Sequence, residues 1–272
     1  MAVKHSERDS SGFGILSHEV KDNVYMMGRS GFIYTAPWID TRDTRPPSAA
    51  VLLSVGEGRF TVSAGGQEWR GRAILVPPFV PRSLLAANVP LVCFHVMPAS
   101  PHYDALNGLA KGRISLLDRG QFGNLEQELE ALFRGGLPAC EAEEVYQEVL
   151  RVPFRHMPVP PRVDPRAGRL RTLLEAQPEV SLAQLAEQLG VSYFWASRVI
   201  SDVFGMSLRD YKAWRKLQRV FELLHSDRSI TEIAHAAGFT DSAHLSRTYQ
   251  RWFGQPPSYS RNRRYVRILR CW

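Results

Sequence analysis

The chain has 272 residues, enough for two domains, and its 44% hydrophobic and 22% charged residues are an ordinary globular composition. No apolar run reaches the roughly 18 residues that a membrane span needs, and the opening MAVKHSERDSSGFG has no apolar core of a secretory signal, so the expected location is the cytoplasm. The net charge of +7 is uneven: residues 1–164 carry 17 Lys and Arg against 18 Asp and Glu, and residues 165–272 carry 17 against 9, which suggests a polyanion partner for the second half.

From about Gly31 to Met97 the chain is a series of short β-rich runs: FIY, AAVLLSV, RFTVSA, QEWR, AILVP and PLVCFHVM. GEG, AGG and PPFVP punctuate them, a spacing that implies a sandwich or small barrel. In RFTVS, Phe60 and Val62 alternate with Arg59 and Thr61, as in a half-buried strand. Two helices are expected next, over about Asn124–Arg134 and Glu141–Val152. The first sets Leu125, Leu129, Leu132 and Phe133 on one stripe. That stripe suits either packing on its own barrel or a dimer seam, and the residues alone leave both open.

Five prolines in RVPFRHMPVPPRVDP (Arg151–Pro165) bar a helix or central strand. The expected division is a first domain over 1–152, a Pro-rich linker over 153–164 and a second domain over 165–272. The last of these reads as helical throughout, with Ser181 and Ser192 as N-caps and Gly190 and Gly205 as stops. Within it a plan repeats. SLAQLAEQLG–VSYFWASR and SITEIAHAAG–FTDSAHLSR each give a short helix, a glycine turn, a cap and a second helix with Ser-Arg near its middle. This is the helix-turn-helix plan, whose second helix enters the major groove. Helical spacing turns Ala196, Val199, Ile200 and Val203 inward in the first copy, and Leu245, Tyr249 and Trp252 in the second. Phe194, Ser197 and Arg198, and Ser242, Ser246 and Arg247, are left outside as candidate readers of DNA. Arginine suits guanine O6 and N7, and serine adapts to bases or phosphates. The long helix between the copies, about 18 residues or roughly 27 Å, suits two recognition helices about one DNA turn apart.

ITEIAHAAGFTDSAHLSRTYQRWFGQPPSYSR resembles the signature of the AraC/XylS family of bacterial transcription regulators, and the likeness covers about Pro165–Arg264. It implies a seven-helix DNA-binding domain with two helix-turn-helix units, placed after a cupin-like effector and dimerisation domain. The fold class expected is therefore α+β: an N-terminal cupin-like β-barrel with following helices, then an all-α domain. Four positions depart from the family pattern. Ser201 and Asp202 stand where basic residues are usual, Ala196 replaces a leucine, and Ser260 follows Tyr259 where a tyrosine is usual; together they imply a weaker or looser first half-site. The tail RNRRYVRILRCW adds five arginines and is expected to be a frayed basic end.

Signs of enzyme chemistry are few. The eight histidines include no HxH pair, and there is no GxSxG, P-loop or GxGxxG. His95 alone falls in an expected strand. No catalytic residue, metal site or cofactor is expected. Tyr34, Trp38, Trp69 and His95 are candidates for lining an effector pocket, with ordinary barrel core as the alternative. The cysteines Cys93, Cys140 and Cys271 are scattered without CxxC spacing, which suggests free thiols in a reducing compartment. The expected protein is a sequence-specific regulator, an activator by resemblance alone. Its partners would be promoter DNA, a small-molecule effector, RNA polymerase and a second copy of itself. The rivals are a cupin-type metal enzyme fused to a DNA-tethering module and a structural DNA binder without sequence preference.

Overall fold

Period-two alternation of buried and open side chains builds the first half. The computed structural model describes residues 23–27, 31–98, 100–155, 166–262 and 266–270. Nine strands run in succession: β1 (Asn23–Met27), β2 (Gly31–Ala36), β3 (Ile39–Thr44), β4 (Ala49–Ser54), β5 (Phe60–Ala64), β6 (Gln67–Gly71), β7 (Ala73–Val76), β8 (Arg82–Ala86) and β9 (Leu91–Val96). A two-residue strand β10 (Ser115–Leu116) and a C-terminal strand β11 (Val266–Arg270) complete them. Two facing sheets result rather than one closed barrel: β10-β7-β4-β9-β2-β1-β11 and β3-β8-β5-β6.

Register decides which side chains share the space between the sheets. Phe32 lies opposite His95, which lies opposite Ala50; Tyr34 lies opposite Cys93, which lies opposite Leu52. This face meets Phe60, Val62 and Leu84 of the smaller sheet in one apolar cluster. The opposite face of the large sheet, with Val51, Leu53, Val92 and Phe94, is covered by helices, so β4 is buried along its whole length. Those helices are α1 (Pro101–Ala110), α2 (Glu126–Arg134) and α3 (Ala139–Arg151). The sequence reading did not foresee α1. It starts at Ser100, whose side chain accepts from the His102 N–H, with proline at the first turn.

The stripe offered to a dimer seam is used within the chain itself. Leu125, Leu129 and Leu132 are buried in the same cluster as Phe94 and Val96, and Phe133 packs against it. The sheet supplies an apolar face at the right distance, and burial of each leucine contributes about 1.5–3 kcal/mol. These side chains therefore form no exposed seam for a second copy.

Seven helices follow among the described residues: α4 (Arg166–Ala176), α5 (Leu182–Leu189), α6 (Tyr193–Phe204), α7 (Leu208–Leu223), α8 (Ile230–Ala236), α9 (Ser242–Phe253) and α10 (Pro257–Ser260). The Pro-rich linker lies outside the described residues over 156–165, and Val152–Phe154 extends α3 as a 3-10 turn with Val152 buried.

Two expectations are corrected. The end of the basic tail is not frayed: β11 pairs in parallel with β1, Asn23 opposite Val266 through Met27 opposite Arg270. Val266 is buried, and the free edge of β1 supplies a row of unpaired backbone groups for the tail to complete. Arg261, at the start of that tail, donates to the carbonyls of Arg228 and Ser226, at 2.7 and 3.1 Å. The thiols also differ from expectation. Cys93 is free and buried, whereas Cys140 is disulfide-bonded. Cys271 lies outside the described residues.

The two halves share a core. Phe32 packs on Phe221 and Phe253, ring centroids 6.3 and 6.1 Å apart, and Phe79 sets an edge on Trp252 at 6.3 Å. Arg171 pairs with Asp104 at 2.6 Å, and the Arg45 N–H donates to the Arg251 carbonyl at 2.9 Å.

Candidate nucleic-acid interface

Capping chemistry positions both helix-turn-helix units, and the repeat seen in sequence recurs in the contacts. Each first helix opens with a capping box: Ser181 with Gln184 on α5, and Ser229 with Glu232 on α8. Each turn contains a glycine in the left-handed region, Gly190 at φ +66 and Gly238 at φ +82. Each second helix has a polar cap. Ser192 accepts from the Trp195 N–H at 3.2 Å and Asp241 from the His244 N–H at 2.6 Å. That backbone donor, first among several causes, holds the Asp241 carboxyl below its ordinary range.

The inward faces match expectation. Ala196, Val199, Ile200 and Val203 are buried on α6, and Leu245, Tyr249 and Trp252 on α9. Phe194, Arg198 and Arg247 are exposed, while Ser197, Ser242 and Ser246 are half-buried. Phe194, at 83% exposed, is the most open large apolar side chain among the described residues, and Tyr193 and Trp195 beside it are also open. An aromatic cluster left in water at the start of a helix is a contact surface in search of a partner. Arg198 reaches Asp202 at 3.9 Å, an exposed pair worth little by itself. One departure from the family pattern thus places a carboxylate beside a candidate DNA-reading arginine.

The two second helices flank one cleft of about 910 Å³ with α7 as its floor. Tyr193 and Ser197 line it from α6, and His244, Arg247 and Arg251 from α9. Arg209, Lys212 and Lys216 rise from the floor. Five cationic side chains and one carboxylate, Asp210, line the cleft; Ser207 caps α7 by accepting from the Asp210 N–H at 3.1 Å, and its hydroxyl donates to that carboxylate at 2.8 Å. Sequence reading missed Arg209, Lys212, Lys216 and Arg251. The signal for Arg209, Lys212 and Lys216 was present as basic residues on the face of the long helix opposite Tyr211, Trp214 and Leu217.

Each second helix ends against the first half of the chain. Gly205, the C-cap of α6, sits where a Cβ would meet Asn107 Nδ2 at 2.6 Å. Gly254, the C-cap of α9, sits where a Cβ would meet Thr44 Cγ2 at 3.0 Å and Thr41 Cγ2 at 3.2 Å. The strand-rich half therefore holds both helices at their far ends while their starts face outward.

Of the pocket candidates, Tyr34 and His95 lie on the inner face and Trp69 packs against the same cluster. Trp38 is half-buried in the turn between β2 and β3 and is not brought to them. Among the described residues no group of three or more His, Cys, Asp or Glu side chains is gathered for a metal, and no helix is long and apolar enough to cross a membrane.

Residues 185–263 match a family model described as a helix-turn-helix domain. The HTH-type transcriptional activator RhaS of Escherichia coli (strain SE11) is 29% identical over 127 residues, covering 44% of this chain and 46% of RhaS. RhaS of Pectobacterium atrosepticum is 36% identical over 90 residues, covering 33% and 32%. The chain thus spans about half the length, or less, of the curated relatives it matches. Among solved structures, an apo variant of ToxT from Vibrio cholerae strain SCE256 has a TM-score of 0.58 at 10% identity, covering 85% of this chain and 96% of that one. Wild-type ToxT of the same strain, bound to an unsaturated fatty acid, has a TM-score of 0.52 at 11% identity, covering 83% and 92%. At these identities the likeness is one of fold: a strand-rich N-terminal domain followed by a helical domain with two helix-turn-helix units. Through that C-terminal domain the chain is similar to the AraC/XylS family of bacterial transcription regulators.

Proposed function

We propose that the chain is a sequence-specific, DNA-binding transcription regulator. The observation that carries this is the shared cleft: two capped helices with open starts, Phe194 and Arg198 on one and Arg247 on the other, flank a basic floor. Successive major grooves would receive α6 and α9, and the phosphates between them would lie over Arg209, Lys212 and Lys216. Phe194 would contact apolar base edges such as the thymine methyl, and Arg198 and Arg247 would read base edges. The RhaS relatives are activators, which makes activation, and with it contact with RNA polymerase, the favoured mode.

The strand-rich domain would bind a small-molecule effector, and its grip on Gly205 and Gly254 would carry the effect of binding to both recognition helices. ToxT, which shares the fold, has been seen with an unsaturated fatty acid, which favours an effector site in this architecture. In this reading the protein is cytoplasmic and non-enzymatic, and any homodimer uses a surface other than the buried Leu125–Phe133 stripe.

The test is selection from sheared genomic DNA of the host near physiological salt, followed by sequencing of the retained fragments. A few enriched promoter sites with paired half-sites about 10 base pairs apart support the reading. Even enrichment across the genome overturns it in favour of a structural DNA binder.

A further inference from the structure

The two second helices share one plan but differ in charge at an equivalent position. With Ser197 and Arg198 set against Ser246 and Arg247, the residue four places after each arginine is Asp202 on α6 and Arg251 on α9. α9 carries Arg247 and Arg251 and no acidic residue, and both arginines line the cleft. α6 carries Arg198 and Asp202 as its only charged residues, so its charges cancel.

Nothing in the folding of α6 calls for a carboxylate there. Asp202 lies in the last turn of the helix, where the negative end of the helix dipole disfavours it. An arginine four residues before an acid is also the weaker order for a helical ion pair. What the position does offer is a place on the outer face. Phe194, Arg198 and Asp202 stand at i, i+4 and i+8, one ridge with about 5.4 Å between successive members. All three are open to solvent, the side chains of Arg198 and Asp202 by 82% and 54%. With the start of α6 in a major groove, base edges meet the first two, and the third falls nearer the wall of the groove, where the phosphates run. Asp202 Oδ2 approaches Arg198 at Nε, 3.9 Å away. That side-on approach leaves the Nη1–Nη2 edge for guanine O6 and N7. Water screens such a pair in the free protein, and a groove that excludes water strengthens it.

We propose that Asp202 is a specificity-determining residue of the first helix-turn-helix unit: it positions Arg198 for guanine and sets a repulsive charge against the DNA backbone where no guanine is present. This rests on the DNA-reading function proposed above and assigns a role within that site. On an unrelated sequence Asp202 holds Arg198 back from phosphate, and its own carboxylate is repelled by the backbone, so docking of α6 is disfavoured. On a guanine, the five N–H donors of Arg198 serve the base and Asp202 together. The second unit has Arg251 in the equivalent place and gains attraction from any backbone. α9 thus adds sequence-independent attraction to its base contacts, and α6 exchanges that attraction for discrimination.

The experiment measures DNA binding by fluorescence anisotropy for the full native chain, Asp202→Asn, Arg198→Ala and the double variant. The probes are a duplex selected by the native protein from a random library, the same duplex with each guanine of its half-sites changed in turn to adenine, and an unrelated duplex. Asp202→Asn is expected to bind the unrelated duplex about three- to tenfold more tightly, with a slope of log affinity against log salt steeper by about 1. Its preference for guanine over adenine is expected to fall about tenfold. In the Arg198→Ala background the same change is expected to leave that preference as it stands. No gain on the unrelated duplex, a guanine preference unchanged by Asp202→Asn, or a fall of equal size in both backgrounds would overturn the proposal. The underlying reading is judged separately by the native protein and Arg198→Ala. If Arg198→Ala removes a guanine preference that Asp202→Asn leaves intact, the role of Asp202 alone is defeated. If the native protein binds the selected and unrelated duplexes equally, the regulator reading is defeated as well.

Discussion

The rings of Phe32 and His95 stack 4.5 Å apart and within 7° of parallel, and the same Phe32 touches Phe221 and Phe253 of the helical domain. One side chain thus bridges the interior of the strand-rich domain and the C-terminal end of α9. Replacing it with alanine removes a buried ring from a shared core. Phe32→Ala is expected to lower stability by about 3 kcal/mol or more in urea unfolding. A change below about 1 kcal/mol would mean that the two halves do not depend on this contact.

His95 gives the chain an acid-sensitive interior. In the unfolded chain it takes up a proton near pH 6.5, whereas burial and the Arg82 charge keep it neutral in the fold down to about pH 3. Between those values the unfolded state binds more protons. Its contribution is therefore complete above pH 6.5 and is lost as the pH falls toward 3. His95→Gln, which can keep the Ser48 hydrogen bond, is expected to lose less stability than the native protein between pH 6.5 and 4. Parallel pH curves for the two would contradict this.

Gly254 and Gly190 separate backbone conformation from domain contact. Both are left-handed, at φ +74 and +66, but a Cβ at Gly190 meets nothing within 4 Å. Gly190→Ala is expected to cost about 1 kcal/mol, the backbone penalty alone. Gly254→Ala adds a clash with the stiff side chains of Thr44 and Thr41, and is expected to cost at least about 2 kcal/mol. Equal losses in urea unfolding would show that the strand-rich domain gives way without strain.

The floor of the cleft is expected to touch phosphate rather than bases. Lys212→Ala should weaken binding about equally on all duplexes and reduce the slope of log affinity against log salt by about 1. Filter binding or fluorescence anisotropy over a range of salt concentrations measures this. A sequence-dependent loss would assign Lys212 to base contact instead.

Much of the C-terminal domain was legible because local chemistry decides it. Ser181, Ser192, Ser229 and Asp241 cap helices by bonds to residues three positions on, and the inward stripes of α6 and α9 follow helical period. The strand-rich half was less legible. IDTRDT of β3 has no apolar period, since the strand is defined by pairing with β8 and buries only its ends. α1 was missed because PHYDALNGLA follows directly on a strand with only Ser100 and Pro101 to announce it. β11 needs the edge of a strand more than 200 residues away in sequence, which no local pattern reports. The Leu125–Phe133 stripe was visible, but only the sheet beneath it decides between core and dimer seam.

The central claim is that both second helices read bases, and selection from a random duplex library by the native protein, Arg198→Ala and Arg247→Ala tests it most directly. The account predicts two preferred half-sites for the native protein. Each variant should lose preference within one half-site only, a different one for each arginine, at a cost of about 1–3 kcal/mol on the best sequence. A uniform loss of affinity with both half-site preferences intact would contradict it and make these arginines phosphate contacts.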